Sequence, residues 1–353
     1  MDLDWLSDET HVLLNPRMPE EERRRLESFV VPLPGHLWLA TSGTTGALKL
    51  TALSKRAMLA SAAAVNRHLR SDAHDVWLCV LPTFHVGGLG IYARAFLSGA
   101  RVVTEGWEGV TLASLVPAQV SDLVRARTPA PPSLRAVVIG GGALSPTLYD
   151  EARALGWPLL PSYGMTECCS QIATAPVEDR QSCLSARASE RRTGRIACPP
   201  LVLLDHIEAR IDEDGRLAIR SEALLTGYAT EEGFVDPKTD GWFLTDDVAS
   251  LDGRTLRVEG RRGDFVKIGG ESVDLSRLDR ILAELGADAA VVAFPDERLG
   301  HVIALAIASG DADAVAEAFN ARVFPFERAR RVFRVGAIPR TPLGKIMRNR
   351  IAW

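Results

Sequence analysis

"LATSGTTGALKLT", residues 39 to 51, is the stretch on which the fold and the chemistry turn. Thr41, Ser42, Thr44 and Thr45 offer hydroxyls, Gly43 and Gly46 leave backbone N–H groups open to close approach, and Lys49 adds a cation. Such a run either cradles an anion or simply turns the chain between two elements. It is not a Walker loop, which needs Gly, Lys and Ser or Thr in succession, whereas here Gly46 and Lys49 are separated. The simple P-loop hydrolase reading falls away; a linker and a different phosphate site both stay open.

Working outward, apolar runs alternate with helical patterns: "HLWLAT" (36–41), "SKRAMLASAAAVNRHL" (54–69), "DVWLCVLP" (75–82), "GGLGIYARAFLSG" (87–99), "LRAVVIGG" (134–141) and "SPTLYDEARALG" (145–156). That alternation predicts an α/β domain with a parallel sheet, and ligands in such sheets sit beyond the carboxyl ends of strands. Loop 41–49 is expected there. A further helix is predicted over "PEEERRRLESFV" (19–30). Past residue 200 the style changes to β-hairpins, "HIEARIDEDGRLAIRS" (206–221) and "GWFLTDDVASLDGRTLRVEG" (241–260). The expected organisation is a large N-terminal α/β domain with a hairpin region over 1–261 and a small, mobile α+β C-terminal domain over 262–353. Gly260 and Gly263 in "GRRGDF" mark the expected hinge.

The 353 residues carry a net charge of -4, with 46% hydrophobic and 24% charged residues. No global basic field argues for nucleic acid, and the short Arg-rich patches read as solvated faces. The acidic N-terminus lacks a signal-peptide pattern and no apolar run reaches membrane length, so a cytoplasmic protein without membrane insertion is expected. Cys79, Cys168, Cys169, Cys183 and Cys198 form no CxxC pair, which fits a reducing compartment and no zinc site. The adjacent Cys168 and Cys169 read as small buried residues rather than nucleophiles.

Five more segments carry chemistry. "LPTFHVGGLGI" (81–91) sets His85 just past a strand, beside glycines. "VIGGGALSP" (138–146) ends a strand in glycines against which a flat ring or ribose can lie. "PSYGMTECCSQ" (161–171) puts Tyr163, Thr166 and Glu167 together, suited to base stacking, a phosphate contact and Mg²⁺. Asp247 in "WFLTDDVA" suits two ribose hydroxyls, and Lys345 in "IPRTPLGKIMR" stands on a Gly-supported loop.

In order and spacing, from about residue 38 to residue 348, these motifs resemble the adenylate-forming superfamily of acyl- and aryl-CoA synthetases. The resemblance implies that Thr41, Ser42, Gly43, Thr44, Thr45, Gly46 and Lys49 surround the β- and γ-phosphates of ATP. It implies His85 as the gate beside the acyl pocket and Gly141, Gly142 and Ala143 as the adenine and substrate wall. Tyr163, with Gly164 beside it, stacks on adenine; Thr166 contacts the α-phosphate; Glu167 is the Mg²⁺ ligand. Asp247 and Arg261 become the ribose pair, Lys345 the adenylation lysine, and "KIGGESV" (267–273) the loop of the thioester step with coenzyme A. Three local departures stand out: Leu48 replaces the usual Pro before Lys49, Asp246 replaces the Gly of Thr-Gly-Asp, and a shorter stretch precedes the phosphate loop, implying a reduced N-terminal subdomain.

Within the superfamily the chain looks most like the o-succinylbenzoate-CoA ligases of menaquinone biosynthesis. That likeness implies a small-molecule carboxylic acid and CoA as partners, with Arg94, Ser170 and Gln171 lining the acyl pocket; self-association is allowed. The substrate keeps one carboxylate while the other is activated, and Arg94 would pair with the retained one. Arg94 reads equally as a helix-surface arginine. The rivals are a ligase for another aryl or acyl acid, an adenylating domain that loads a carrier protein, and a non-enzymatic nucleotide-binding module.

Overall fold

The computed structural model describes residues 3–42, 48–142, 144–177, 199–261, 265–268, 271–296, 299–341, 344 and 346–352. The chain forms two compact units, one over Met1–Thr245 and Leu251–Arg257, the other over Asp246–Ser250 and Val258–Trp353.

The first unit is built on two sheets. In the larger, strands Arg101–Val103, Val76–Leu78, Leu112–Leu115, Ala136–Ile139 and Leu159–Met165 lie side by side and parallel, as the alternating pattern predicts. Their short apolar runs show no alternation because both faces are covered. One face packs on helices Pro117–Arg125 and Pro146–Ala154 through Val76, Leu78, Leu115, Val137, Ile139 and Tyr149. The second helix starts where Ser145 Oγ accepts from Leu148 N and Pro146 supplies the first turn. Helices Lys55–Leu69 and Val86–Ser98 pack on each other, and Trp77 lies beneath Arg94 of the second one. From Leu159–Met165 the sheet continues antiparallel through Ser170–Thr174 and Leu201–Leu203. The expected hairpin at 206–221 is present as Glu208–Ile211 paired with Arg216–Arg220, and the second one as neighbouring strands Phe243–Asp252 and Thr255–Arg261.

The structure differs from the expectation at the opening loop. Strand His36–Ser42 does not join the parallel sheet; it pairs antiparallel with Leu48–Ser54, with Thr41 opposite Lys49. Residues 43–47, outside the described residues, therefore connect two strands of one hairpin rather than a strand to a helix. That hairpin belongs to a separate sheet, completed by His11–Leu13 on one side and Gly227–Thr230 and Gly233–Val235 on the other. The physical reason is burial: Leu50, Thr51, Ala52 and Leu53 are all buried, so "LKLTALS" shows no polar face to betray a strand.

The second unit holds a three-stranded sheet, Ala289–Asp296, Gly300–Ile307 and Ala329–Arg334. Helices Leu275–Glu284 and Ala312–Asn320, capped by Asp274 and Asp311, bury Leu278, Leu282 and Phe319 against it. The chain end crosses the other face with Ile338 and Ile351, pinned where Arg348 meets Asp279 and donates to the Val291 carbonyl at 3.0 Å. On either side of the two glycines of "KIGGESV", Phe265–Ile268 pairs antiparallel with Glu271–Asp274. Of the two expected hinge glycines, Gly263 lies outside the described residues. Gly260 has a steric reason of its own, since a Cβ there would stand 2.8 Å from the Asp274 carboxylate.

Candidate active site

In the first unit the predicted residues fall into two neighbouring groups. The first gathers around Tyr228. Strand Gly227–Thr230 pairs with Leu48–Ser54, Tyr228 opposite Thr51, which makes Lys49 its diagonal neighbour on the same face. Lys49 Nζ stands 3.2 Å from the centroid of the Tyr228 ring, and the Tyr228 hydroxyl donates to Glu167 Oε1 at 2.8 Å. Glu167 is the middle residue of a short 3₁₀ turn, Thr166–Cys168, directly after strand Leu159–Met165. Its carbonyl oxygen accepts from Leu225 N at 2.8 Å. Across the hairpin, Thr41 Oγ1 and Thr51 Oγ1 share a hydrogen bond of 3.0 Å. A cation, a carboxylate and a hydroxyl pair thus meet from stretches that are distant in the sequence.

The second group follows the same turn in the chain. Cys169 and Ser170 adopt φ of 51° and 124°, unusual for side chains other than glycine, and this bend brings the chain back as strand Ser170–Thr174. The Ser170 hydroxyl accepts from the Arg94 guanidinium at 3.1 Å. Arg94 is only 2% exposed, so the helix-surface reading fails. Its guanidinium lies over the Trp77 ring at 5.4 Å, and burial pulls its pKa down to about 10, which still leaves it charged at neutral pH. Among the described residues no carboxylate pairs with it. Gln171 is also buried; its amide nitrogen donates to Thr174 Oγ1 at 2.6 Å, while its carbonyl oxygen has no partner among the described residues.

Tyr163 and Gly164 lie near the end of strand Leu159–Met165, at a bulge against Ser170–Thr174. His85 precedes helix Val86–Ser98, its ring 4.6 Å from that of Phe84, and burial holds its imidazole toward the neutral form. Gly141, with φ of 77°, and Gly142 lie exposed after strand Ala136–Ile139. Asp247, half-buried, and the backbone of Arg261 fall on strands that run into the second unit. Gly43, Thr44, Thr45, Gly46, Ala143 and Lys345 lie outside the described residues. On either side of that lysine in the sequence, Arg340 and Ile346 form a bridge and Met347 N donates to the Pro339 carbonyl at 2.8 Å. The sequence reading missed Tyr228 and Trp77. Each stands in an ordinary apolar strand, and only pairing between distant segments reveals them.

Residues 37–229, which hold both groups, match the family described as AMP-binding enzyme. The chain belongs to the AMP-binding enzyme family. Among curated members it is similar to the 2-succinylbenzoate–CoA ligase of Listeria monocytogenes, 30% identical over 335 residues, covering 88% of this chain and 68% of that protein. The ligase of the same name from Staphylococcus epidermidis is 29% identical over the same shares. Among solved structures, the o-succinylbenzoate CoA synthetase of Bacillus subtilis in complex with its acyl-adenylate intermediate superposes with a TM-score of 0.75 at 26% identity, covering 89% of this chain and 68% of that one. The same synthetase has been solved in complex with ATP and magnesium ion, with TM-score 0.75, 25% identity and coverage of 89% and 69%. Membership in the AMP-binding family bears out the α/β core and the adenylate-forming likeness read from the motifs.

Proposed function

We propose that this chain is an AMP-forming acid–CoA ligase that adenylates o-succinylbenzoate with ATP and transfers it to CoA, in menaquinone biosynthesis. The observation that carries the substrate is Arg94: a buried, charged guanidinium held by a serine hydroxyl and an indole face, with no carboxylate against it among the described residues. A buried cation is costly unless an anion meets it. The carboxylate that o-succinylbenzoate keeps through both steps is that anion.

In the first step the other carboxylate attacks the α-phosphate, and the bond to the outgoing pyrophosphate breaks. The attacking and leaving groups are both anionic, so the site's work is positioning and charge offset. Lys49 and the hydroxyls of Thr41, Ser42, Thr44 and Thr45 take the pyrophosphate end. Thr166 holds the α-phosphate, Tyr163 the base, Gly141 and Gly142 the wall beside it, and Asp247 with Arg261 the ribose. The donor set fits magnesium: Glu167 offers a hard carboxylate with one oxygen fixed by Tyr228, and such ions usually take one or two carboxylates plus substrate phosphates. Magnesium, when bound, offsets charge on the triphosphate. His85, largely neutral, closes the acyl side without adding charge. Lys345 stabilises the α-phosphate during adenylation, and the hairpin of residues 265–274 serves the later attack of the CoA thiol, which expels AMP. The 262–353 segment acts as the mobile domain that carries both groups. We place the reaction in the cytoplasm, in keeping with the free thiols of Cys79, Cys168 and Cys169.

The test is CoA-dependent AMP release across a panel of aryl and acyl acids. We expect o-succinylbenzoate to lead; preference for a monocarboxylate overturns the substrate, and thioester formation only on a carrier protein overturns the acceptor. Lys345→Ala is expected to abolish pyrophosphate exchange, and undiminished exchange would return the chain to a nucleotide-binding module.

A further inference from the structure

Tyr228 belongs to none of the motifs that define the site, yet it touches two of their charged groups at once. Its ring carries the Lys49 ammonium and its hydroxyl donates to Glu167. We propose that Tyr228 is a positioning residue that presets the phosphate-binding lysine and the metal-binding carboxylate for Mg·ATP. This rests on the functional reading above.

The surroundings support a held, not an incidental, arrangement. Segment 225–228 grips Glu167 at both ends: Leu225 N binds its carbonyl and the Tyr228 hydroxyl its carboxylate. That segment is itself braced. Lys238 Nζ donates to the carbonyls of Leu225 and Thr226, at 2.6 and 3.3 Å, and the Thr226 hydroxyl meets His36 Nε2 at 2.8 Å. Tyr228 is 8% exposed, so its hydroxyl bond to the carboxylate is little contested by water.

The chemistry follows from what Tyr228 touches. A lysine paired directly with a carboxylate has to be pulled from it before either meets phosphate or metal. The ring offers Lys49 a weaker, directional partner, while the hydroxyl occupies only Oε1 of Glu167. Both groups are oriented by the same side chain, so less ordering remains when the nucleotide binds. Hydrogen-bond partners of metal ligands act in this way and are worth about 10–100-fold in metal affinity.

The experiment follows melting temperature with ATP plus EDTA and with ATP across a Mg²⁺ titration, with no acid or CoA present. Tyr228→Phe keeps the ring under Lys49 and removes only the hydroxyl. It is expected to keep the metal-free shift and to need about tenfold more Mg²⁺ for half of the Mg²⁺-dependent shift. Tyr228→Leu is expected to lose both shifts. In pyrophosphate exchange, Tyr228→Phe should raise the Mg²⁺ requirement and leave KM for the acid unchanged. A Tyr228→Phe variant that matches the wild type in Mg²⁺, or that loses both shifts in equal proportion, overturns the proposal, and that variant alone decides it should the leucine variant not fold. A wild-type chain that gains nothing from Mg·ATP sinks the functional reading together with this one; a wild type that gains, beside a phenylalanine variant that gains equally, sinks this one alone.

Discussion

Arg94→Ala lowers kcat/KM for o-succinylbenzoate by about 100-fold or more while KM for ATP stays within about twofold, because truncating one side of a buried charge pair costs roughly 2–5 kcal/mol. The guanidinium has no other anion among the described residues, so its loss falls on the substrate. Arg94→Lys recovers only part, since an ammonium cannot reproduce the planar fork toward both a serine hydroxyl and a carboxylate. Stability moves the other way. Arg94→Met replaces an uncompensated buried charge by an apolar chain of similar length, and the ligand-free protein is expected to melt at or above the wild-type temperature. Steady-state kinetics with both substrates, paired with melting curves, check this. Equal losses on acid and ATP, or a ligand-free Arg94→Met chain that melts well below the wild type, would make Arg94 a structural residue.

Gly164→Ala breaks the turn that aims Ser170. A Cβ at Gly164 would stand 1.9 Å from the Ser170 carbonyl oxygen and 2.7 Å from its carbon. The obstruction is backbone, so no rotamer relieves it and the two strands must part at the bulge between Tyr163 and Gly164. Overpacking usually costs about 1–3 kcal/mol, and a backbone collision lies at the upper end of that range or beyond. Ser170 carries the Arg94 contact, so acid turnover is expected to fall by more than the loss of folded protein explains. Urea unfolding and turnover per folded molecule separate the two effects. A Gly164→Ala protein with wild-type stability would show that the strand ends yield more easily than their pairing implies.

The sequence revealed the elements better than their neighbours. Hairpins were legible at "DEDG" and "LDGR" because turn residues sit between alternating strands. Parallel strands were legible because "AVVI" and "VWL" are apolar on both faces. The strand that follows residues 43–47 was not, since Thr51 is as buried as Leu50 and gives no period of two. Helix Val86–Ser98 misleads in the opposite sense. A hydrophobicity pattern would bury Phe96 and Leu97 and expose Arg94, whereas the structure leaves Phe96 46% and Leu97 43% exposed and encloses the arginine. Local pattern cannot tell a solvated cation from one enclosed beside Trp77 and Ser170, because those partners arrive from other strands. Cys168 and Cys169 did follow their local reading: both are buried, and the Cys168 thiol is pushed up to about 12 by burial and then by Glu167.

The pairing of Leu48–Ser54 with Gly227–Thr230 has a kinetic side. It joins the early hairpin to a strand reached only after most of the first unit's chain, and His36 and Thr226 beside it meet across 190 residues of sequence. Loop closure over such a span is unfavourable until much of the intervening chain is organised, so contacts of this kind tend to form late. The parallel strands can assemble earlier from nearer neighbours. Nucleotide affinity would then be the last property this unit acquires as it folds, and ATP would select chains that have finished folding from those that have only collapsed.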